Sequence, residues 1–156
     1  MQVDRMSLDK IARGAGLLQG STVLEIGPGP GSLTRSLLMG GCRKLVAVEK
    51  DGRFLAPLQM IQQASEGVLH VVQGDCLTVD EQKLIEPFYA SDSPIKVFGN
   101  LPFNVSTPLL LKWLKQIHHK KGLFSYGNIN VVYVSYLYSG KVSMVLLFQL
   151  EVAKVI

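Results

Sequence analysis

Residues 22–40 read TVLEIGPGPGSLTRSLLMG, and their reading decides the fold. The run over 22–27 is rich in β-forming residues and reads as a strand. Pro and Gly then alternate through residue 31, a composition that can continue neither a strand nor a helix. SLTRSLLMG (32–40) reads as a helix closed by Gly40-Gly41. Strand, glycine loop and helix in that order open a parallel α/β unit.

The alternation continues on the C-terminal side. KLVAVEK (44–50) is a second strand, followed by a helix from about Gly52 to Ala64. VLHVVQG (68–74) is a third strand, with a looser helical piece over DEQKLIEPF (80–88). IKVFGN (95–100) is the fourth, and TPLLLKWLKQIHH (107–119) the helix after it, with Pro108 placed in its first turn. On the N-terminal side SLDKIARGAGLL (7–18) has helical apolar spacing, capped by Ser7 and Asp9. Strands alternating with helices predict a doubly wound, mainly parallel α/β sheet of Rossmann-like type. Ligands in such sheets sit beyond the carboxyl ends of the strands. The four strands here end in Gly27, Glu49, Asp75 and Asn100, which places four chemically pointed residues on one rim.

Composition bounds this reading. A chain of 156 residues, 47% hydrophobic and 18% charged, suits a single folded domain over 1–156. A net charge of +4 is compatible with an anionic partner such as RNA. Cys42 and Cys76 stand in neither metal-ligand nor redox spacing, which fits a reducing compartment, and no metal site is expected. No apolar run is long enough to span a membrane, and residues 1–20 resemble neither a secretory signal nor a transit peptide.

The loop carries the first chemical clue. A dinucleotide fingerprint needs G-x-G-x-x-G, with glycine at position 32, but Ser32 stands there and the loop reads G-x-G-x-G through Gly27, Gly29 and Gly31. Pro28 and Pro30 also remove two backbone N–H groups that a pyrophosphate would use. A nucleoside without phosphates fits better. Glu49 ends the second strand 22 residues after Gly27, about where an acid bonds ribose hydroxyls. Asp75, in QGDC, is placed to accept from an adenine amino group. Each acid by itself reads equally well as a solvated strand-end carboxylate; together with the loop they point to S-adenosylmethionine as cofactor.

The fourth strand carries the second clue, in VFGNLPFNVSTPLLLKWL (97–114). A turn there needs only Gly, Asn or Asp, yet the chain has Asn100-Leu101-Pro102-Phe103. An exocyclic aromatic amine is a weak nucleophile, because its lone pair is delocalised into the ring. Hydrogen bonds from that amine to the Asn100 side-chain oxygen and the Leu101 carbonyl would draw the nitrogen towards tetrahedral geometry and aim its lone pair at a methyl donor. Pro102 would keep Leu101 extended and so set the direction of its carbonyl. Phe103 would offer a flat face to a base taken out of its stack.

LEIGPGPGSLTRSLL (24–38), LVAVEKDGRFLAPLQ (45–59), VVQGDCLT (71–78) and GNLPFNVSTPLLLKWL (99–114) resemble the ribosomal RNA adenine N6-dimethyltransferase family, and within it the mitochondrial branch most. The resemblance covers about residues 6–127. It implies a cofactor site lined by Gly27, Glu49, Lys50, Asp75, Cys76 and Asn100, with Cys76 contributing its backbone N–H to adenine. It also implies dimethylation of adenine N6 in small-subunit ribosomal RNA, a mitochondrial location, and transcription or ribosome-assembly proteins as partners. A non-catalytic binding protein that keeps the pocket as scaffold is the other reading, and methyl transfer separates the two.

Departures from the family pattern carry expectations of their own. The family's Gln-Asn-Phe-Leu segment and its helical RNA-binding domain have no counterpart here, so the 156-residue chain is expected to be a poor enzyme. KVSMVLLFQLEVAKVI (141–156) resembles the family's fifth strand and following helix. Residues 128–140 match nothing in the family; their Val/Tyr density reads as an inserted strand that could pair with 142–149 as a hairpin, or equally as a segment foreign to the fold. Lys112, Lys115 and His119 share a helix face that reads as solvated.

Overall fold

The computed structural model describes residues 18–119, 121–122, 129–136 and 142–149; the last two spans, and positions 100 and 103, are described by their backbone only. The helix expected over 7–18 and the one expected after residue 149 lie outside the described residues.

The chain alternates as its patterning requires. Strand β1 (Thr22–Ile26) leads to helix α1 (Ser32–Met39), and β2 (Lys44–Glu49) leads through a short 3-10 turn (Gly52–Phe54) to α2 (Leu55–Ala64). Strand β3 (Leu69–Gln73) precedes α3 (Glu81–Ile85), which runs on as a 3-10 turn over Glu86–Phe88. Strand β4 (Ile95–Pro102) passes directly into α4 (Phe103–His119), and β5 (Ile129–Tyr136) and β6 (Val142–Gln149) follow. The sheet order is β3-β2-β1-β4-β5-β6. All neighbours pair parallel except β5 and β6, which are antiparallel. The order reverses between β1 and β4, so the crevice at a topological switch point opens between their carboxyl ends.

Helices cover both faces. Val23, Leu45, Leu69 and Phe98 pack against Leu37 of α1 and Leu58 of α2. On the opposite face Leu24, Ile26, Val46 and Val97 pack against Ile85 of α3 and against Leu109 and Trp113 of α4. Burial on both faces explains why the central strands read as continuous apolar runs.

The junction of β4 with α4 and the order of the last two strands differ from the sequence reading. Strand β4 continues past residue 100 to Pro102, and α4 starts at Phe103 instead of 107. Pro108 therefore lies inside the helix, not in its first turn. A helical proline leaves the carbonyl four residues back unbonded, which here is that of Asn104, an exposed residue that solvent can satisfy. Residues 129–136, read as an insertion, take the fifth place in the sheet, and 142–149, read as the fifth strand, form the sixth. Connectivity explains this order. The crossover through α4 delivers the next strand parallel to β4, and the short link from Tyr136 to Val142 permits only an antiparallel partner. The hairpin itself forms as the patterning indicates.

Candidate functional site

The glycine loop is held from below by Glu49. Gly27, Gly29 and Gly31 all adopt positive φ, at 67°, 55° and 89°. Gly27 N–H still donates to the Val48 carbonyl (2.9 Å), so the loop leaves β1 while bonded to β2. The Gly29 N–H donates to Glu49 Oε2 (2.9 Å) and the Asp51 N–H to Glu49 Oε1 (2.7 Å). Gly31 N–H closes the turn onto the Pro28 carbonyl (3.0 Å). Pro28 and Pro30 have no N–H, so both donors of the 28–31 segment are taken up within the protein. That arrangement suits a ligand that asks nothing of the loop's amides. Each Glu49 oxygen retains a second lone pair, and a Cβ at Gly29 would meet no atom within 4 Å.

The ends of β2 and β3 lie side by side, since Gly74 N–H donates to the Glu49 carbonyl (3.0 Å). Asp75 follows immediately. Its Oδ2 accepts from Lys50 Nζ (2.8 Å) and its Oδ1 from Leu77 N–H (2.9 Å). The Lys50 ammonium, with the Leu77 amide, holds the Asp75 carboxyl below the usual carboxylate range, and Asp75 raises the lysine in return. The Lys50 side chain is 76% exposed, so this pair orients more than it stabilises. Cys76 is buried, and burial pushes its thiol up, which leaves its backbone as the group that a ligand could use.

Lys112 is not on a solvated face. Its side chain is 21% exposed, and Nζ donates to the carbonyls of Cys76 (3.0 Å) and Val79 (2.8 Å) and to Glu81 Oε1 (2.7 Å). Trp113 Nε1 donates to the same Glu81 oxygen (3.1 Å). Lys115 and His119 are exposed, as read. The helix periodicity placed all three on one face; the loop after β3 lies over one edge of it.

Across the switch point, Asn100-Leu101-Pro102 overhang β1. The last β1–β4 pair is Ile26 with Gly99, and residues 100–102 pair only with β5. The missing Pro102 N–H therefore breaks no ladder on the β1 side. Leu101 is extended within β4, and its buried side chain packs beneath the glycine loop. A Cβ on Gly27 would lie 2.6 Å from Leu101 Cδ2. The side chains of Asn100 and Phe103 lie outside the described residues, while their backbones mark the end of β4 and the start of α4.

Sequence reasoning passed over Glu25, in the middle of β1. It is 1% exposed, accepts from Thr34 Oγ1 at Oε2 (2.8 Å), and its Oε1 has no partner among the described residues. Burial pushes its pKa up to about 8, against the pull of the Thr34 hydroxyl and with the negative charge of Glu49 adding to it. A lone carboxylate inside an otherwise buried strand, TVLEI, was the signal available.

Comparison with known proteins identifies the family and the fold. The family model described as ribosomal RNA adenine dimethylase matches residues 2–156. The mitochondrial dimethyladenosine transferase 1 of Xenopus tropicalis is 41% identical over 97% of this chain, which spans 42% of that protein. The ribosomal RNA small subunit methyltransferase A of Dinoroseobacter shibae is 50% identical over 67% of the chain and 35% of its own length. The crystal structure of the 23S rRNA methyltransferase ErmE superposes with a TM-score of 0.63 at 25% identity, covering 86% of this chain and 47% of that one. The chain thus spans less than half the length of these curated relatives.

Proposed function

The chain belongs to the ribosomal RNA adenine dimethylase family, and on that premise we propose that it binds S-adenosylmethionine at the carboxyl rim of β1–β3 and transfers methyl groups to N6 of adenine in small-subunit ribosomal RNA. The observation that carries this reading is the arrangement at the switch point. Two strand-end carboxylates, Glu49 and Asp75, follow in turn on one side of a glycine loop whose amide donors are satisfied internally, and the Asn100–Phe103 segment begins on the other side of the same loop.

The residues suit a nucleoside that bears no phosphate. Glu49 has acceptor capacity for two ribose hydroxyls while it holds Gly29. Asp75 and the Cys76 N–H would receive the adenine edge, with Lys50 over the carboxylate and Gly27 and Gly29 giving the backbone close approach. When bound, the cofactor supplies an electrophilic methyl on a sulfonium. Asn100 Oδ1 and the Leu101 carbonyl would accept from the target amine and aim its lone pair, Pro102 would keep Leu101 extended, and Phe103 would stack on the base. The motif contributes no strong base; its effect is positioning.

The relatives that support this reading include proteins named mitochondrial, and we place the chain in that organelle, with ribosome-assembly or transcription proteins as its partners. The test is incubation with small ribosomal subunits and methyl-labelled S-adenosylmethionine, followed by mapping of dimethyladenine. Transfer that is lost in Asn100→Ala while cofactor binding persists is the expected result. Because the 156-residue chain by itself is expected to transfer poorly, the assay uses a parent extended at both ends to the length of its relatives, and no transfer by that parent would overturn the catalytic reading in favour of a binding protein.

A further inference from the structure

The Lys112 cluster joins the two halves of the site, and nothing in the reaction as proposed above makes use of it. Lys112 belongs to α4, the helix that starts at Phe103 directly after the Asn100–Pro102 segment. About two and a half turns along that helix its ammonium reaches back to the loop after β3. There it meets three acceptors, one for each of its protons: the Cys76 carbonyl, the Val79 carbonyl and Glu81 Oε1. Two of the three are main-chain atoms of the loop that starts at Asp75. Local bonds hold the near end of that loop, since Thr78 and Val79 N–H groups both donate to the Asp75 carbonyl at 2.9 Å. Lys50 ties Asp75 to the end of β2, and Lys112 ties the far part of the loop to α4. Glu81 is 1% exposed and is shared with Trp113, so the cluster is desolvated and geometrically constrained.

We propose that Lys112 is a positioning residue that registers the adenine-binding loop, Asp75–Val79, against the helix carrying the acceptor motif. This rests on the cofactor reading above. A buried ion pair contributes little net stability once desolvation is counted, and its best-supported use is to select one arrangement among several. Lysine suits the task because its compact ammonium serves three convergent acceptors from one point, which a planar guanidinium cannot do. The same helix begins at Phe103, the last residue of the acceptor segment, so a loop displaced from Lys112 would misplace the cofactor relative to the target amine.

Titration of the 156-residue chain with S-adenosylhomocysteine by calorimetry tests the assignment. Lys112→Met is expected to weaken binding at least tenfold, with Lys112→Arg intermediate. Lys112→Met alone leaves the Glu81 carboxylate buried and without its cation, so folding can suffer as well. The double variant Lys112→Met/Glu81→Gln removes that charge and retains an acceptor for Trp113. It is expected to recover thermal stability without recovering affinity, because the Cys76 and Val79 carbonyls stay unheld. Trp113 is the sole tryptophan of the chain, so its emission in the parent should shift as the loop is occupied. Parent-like affinity in Lys112→Met or in the double variant, or an emission spectrum unchanged at saturation, would overturn the assignment. Absence of any binding by the parent would instead overturn the cofactor reading on which it rests.

Discussion

Gly27 and Leu101 meet because Gly27 has no side chain: a Cβ at that position would lie 2.6 Å from Leu101 Cδ2. The first residue of the glycine loop and the second residue of the Asn100–Phe103 segment are thereby packed against each other across the β1–β4 switch point. Two requirements coincide at Gly27, a φ of 67° and the room that Leu101 occupies.

Gly27→Ala should therefore lower thermal stability and abolish cofactor binding together. The positive φ alone costs a non-glycine residue about 1–2 kcal/mol, and the clash adds to it. Leu101→Ala in the same chain should relieve the clash but not the backbone strain, so a double-mutant cycle should give a favourable coupling. Additive losses in melting temperature would show that the contact carries no energy.

Glu49→Gln tests the carboxylate that holds the loop. An amide can accept at one end only, so either Gly29 or Asp51 N–H would face a donor. Loss of a charged acceptor of this kind costs about 1–3 kcal/mol, a fall of roughly fivefold to 150-fold in affinity for S-adenosylhomocysteine. Parent-like binding by calorimetry would rule out Glu49 as a ligand-site acceptor.

Glu25 predicts a pH dependence of stability. Its folded pKa of about 8 lies above its ordinary 4.5, chiefly through burial. The folded state thus holds the proton more tightly than the unfolded state. That contribution is fully present below pH 4.5 and is lost as pH rises through about 8. Glu25→Gln, neutral throughout, should melt increasingly above the parent between pH 5 and pH 9. Parallel melting curves over that range would mean that Glu25 ionises as an exposed carboxylate does.

Asn100→Ala and Phe103→Ala separate chemistry from binding. If Asn100 accepts from the amine as methyl transfer proceeds, its loss should lower kcat while the affinity for S-adenosylhomocysteine stays within a few-fold. Phe103→Ala should act mainly on the RNA side, raising KM for the small subunit. Steady-state rates against RNA concentration, measured with cofactor saturating in a parent extended at both ends to the length of its relatives, distinguish the two, and unchanged rates in both variants would remove this segment from the mechanism.

Much of this protein is determined by local pattern, which is why it was legible from the sequence. The strand–loop–helix alternation, the G-x-G-x-G turn, the acids at the ends of β2 and β3 and the antiparallel pairing of β5 with β6 all follow from spacing within a few residues. Tertiary structure decided what depends on neighbours distant in the chain. Periodicity put Lys112 on a polar face, but the acceptor that makes it a buried anchor, Glu81, comes from the other side of β4, 31 residues away. Glu49 read as a ligand for a nucleoside; that it also holds Gly29, 20 residues back, required the loop to fold over the end of β2. The start of α4 at Phe103 depended on β4 overhanging β1, a matter of strand register. The charge state of Glu25 depended on how completely two layers of helices exclude water from β1. A carboxylate's identity is written in the sequence, but its proton is held by the solvation that only the assembled core determines.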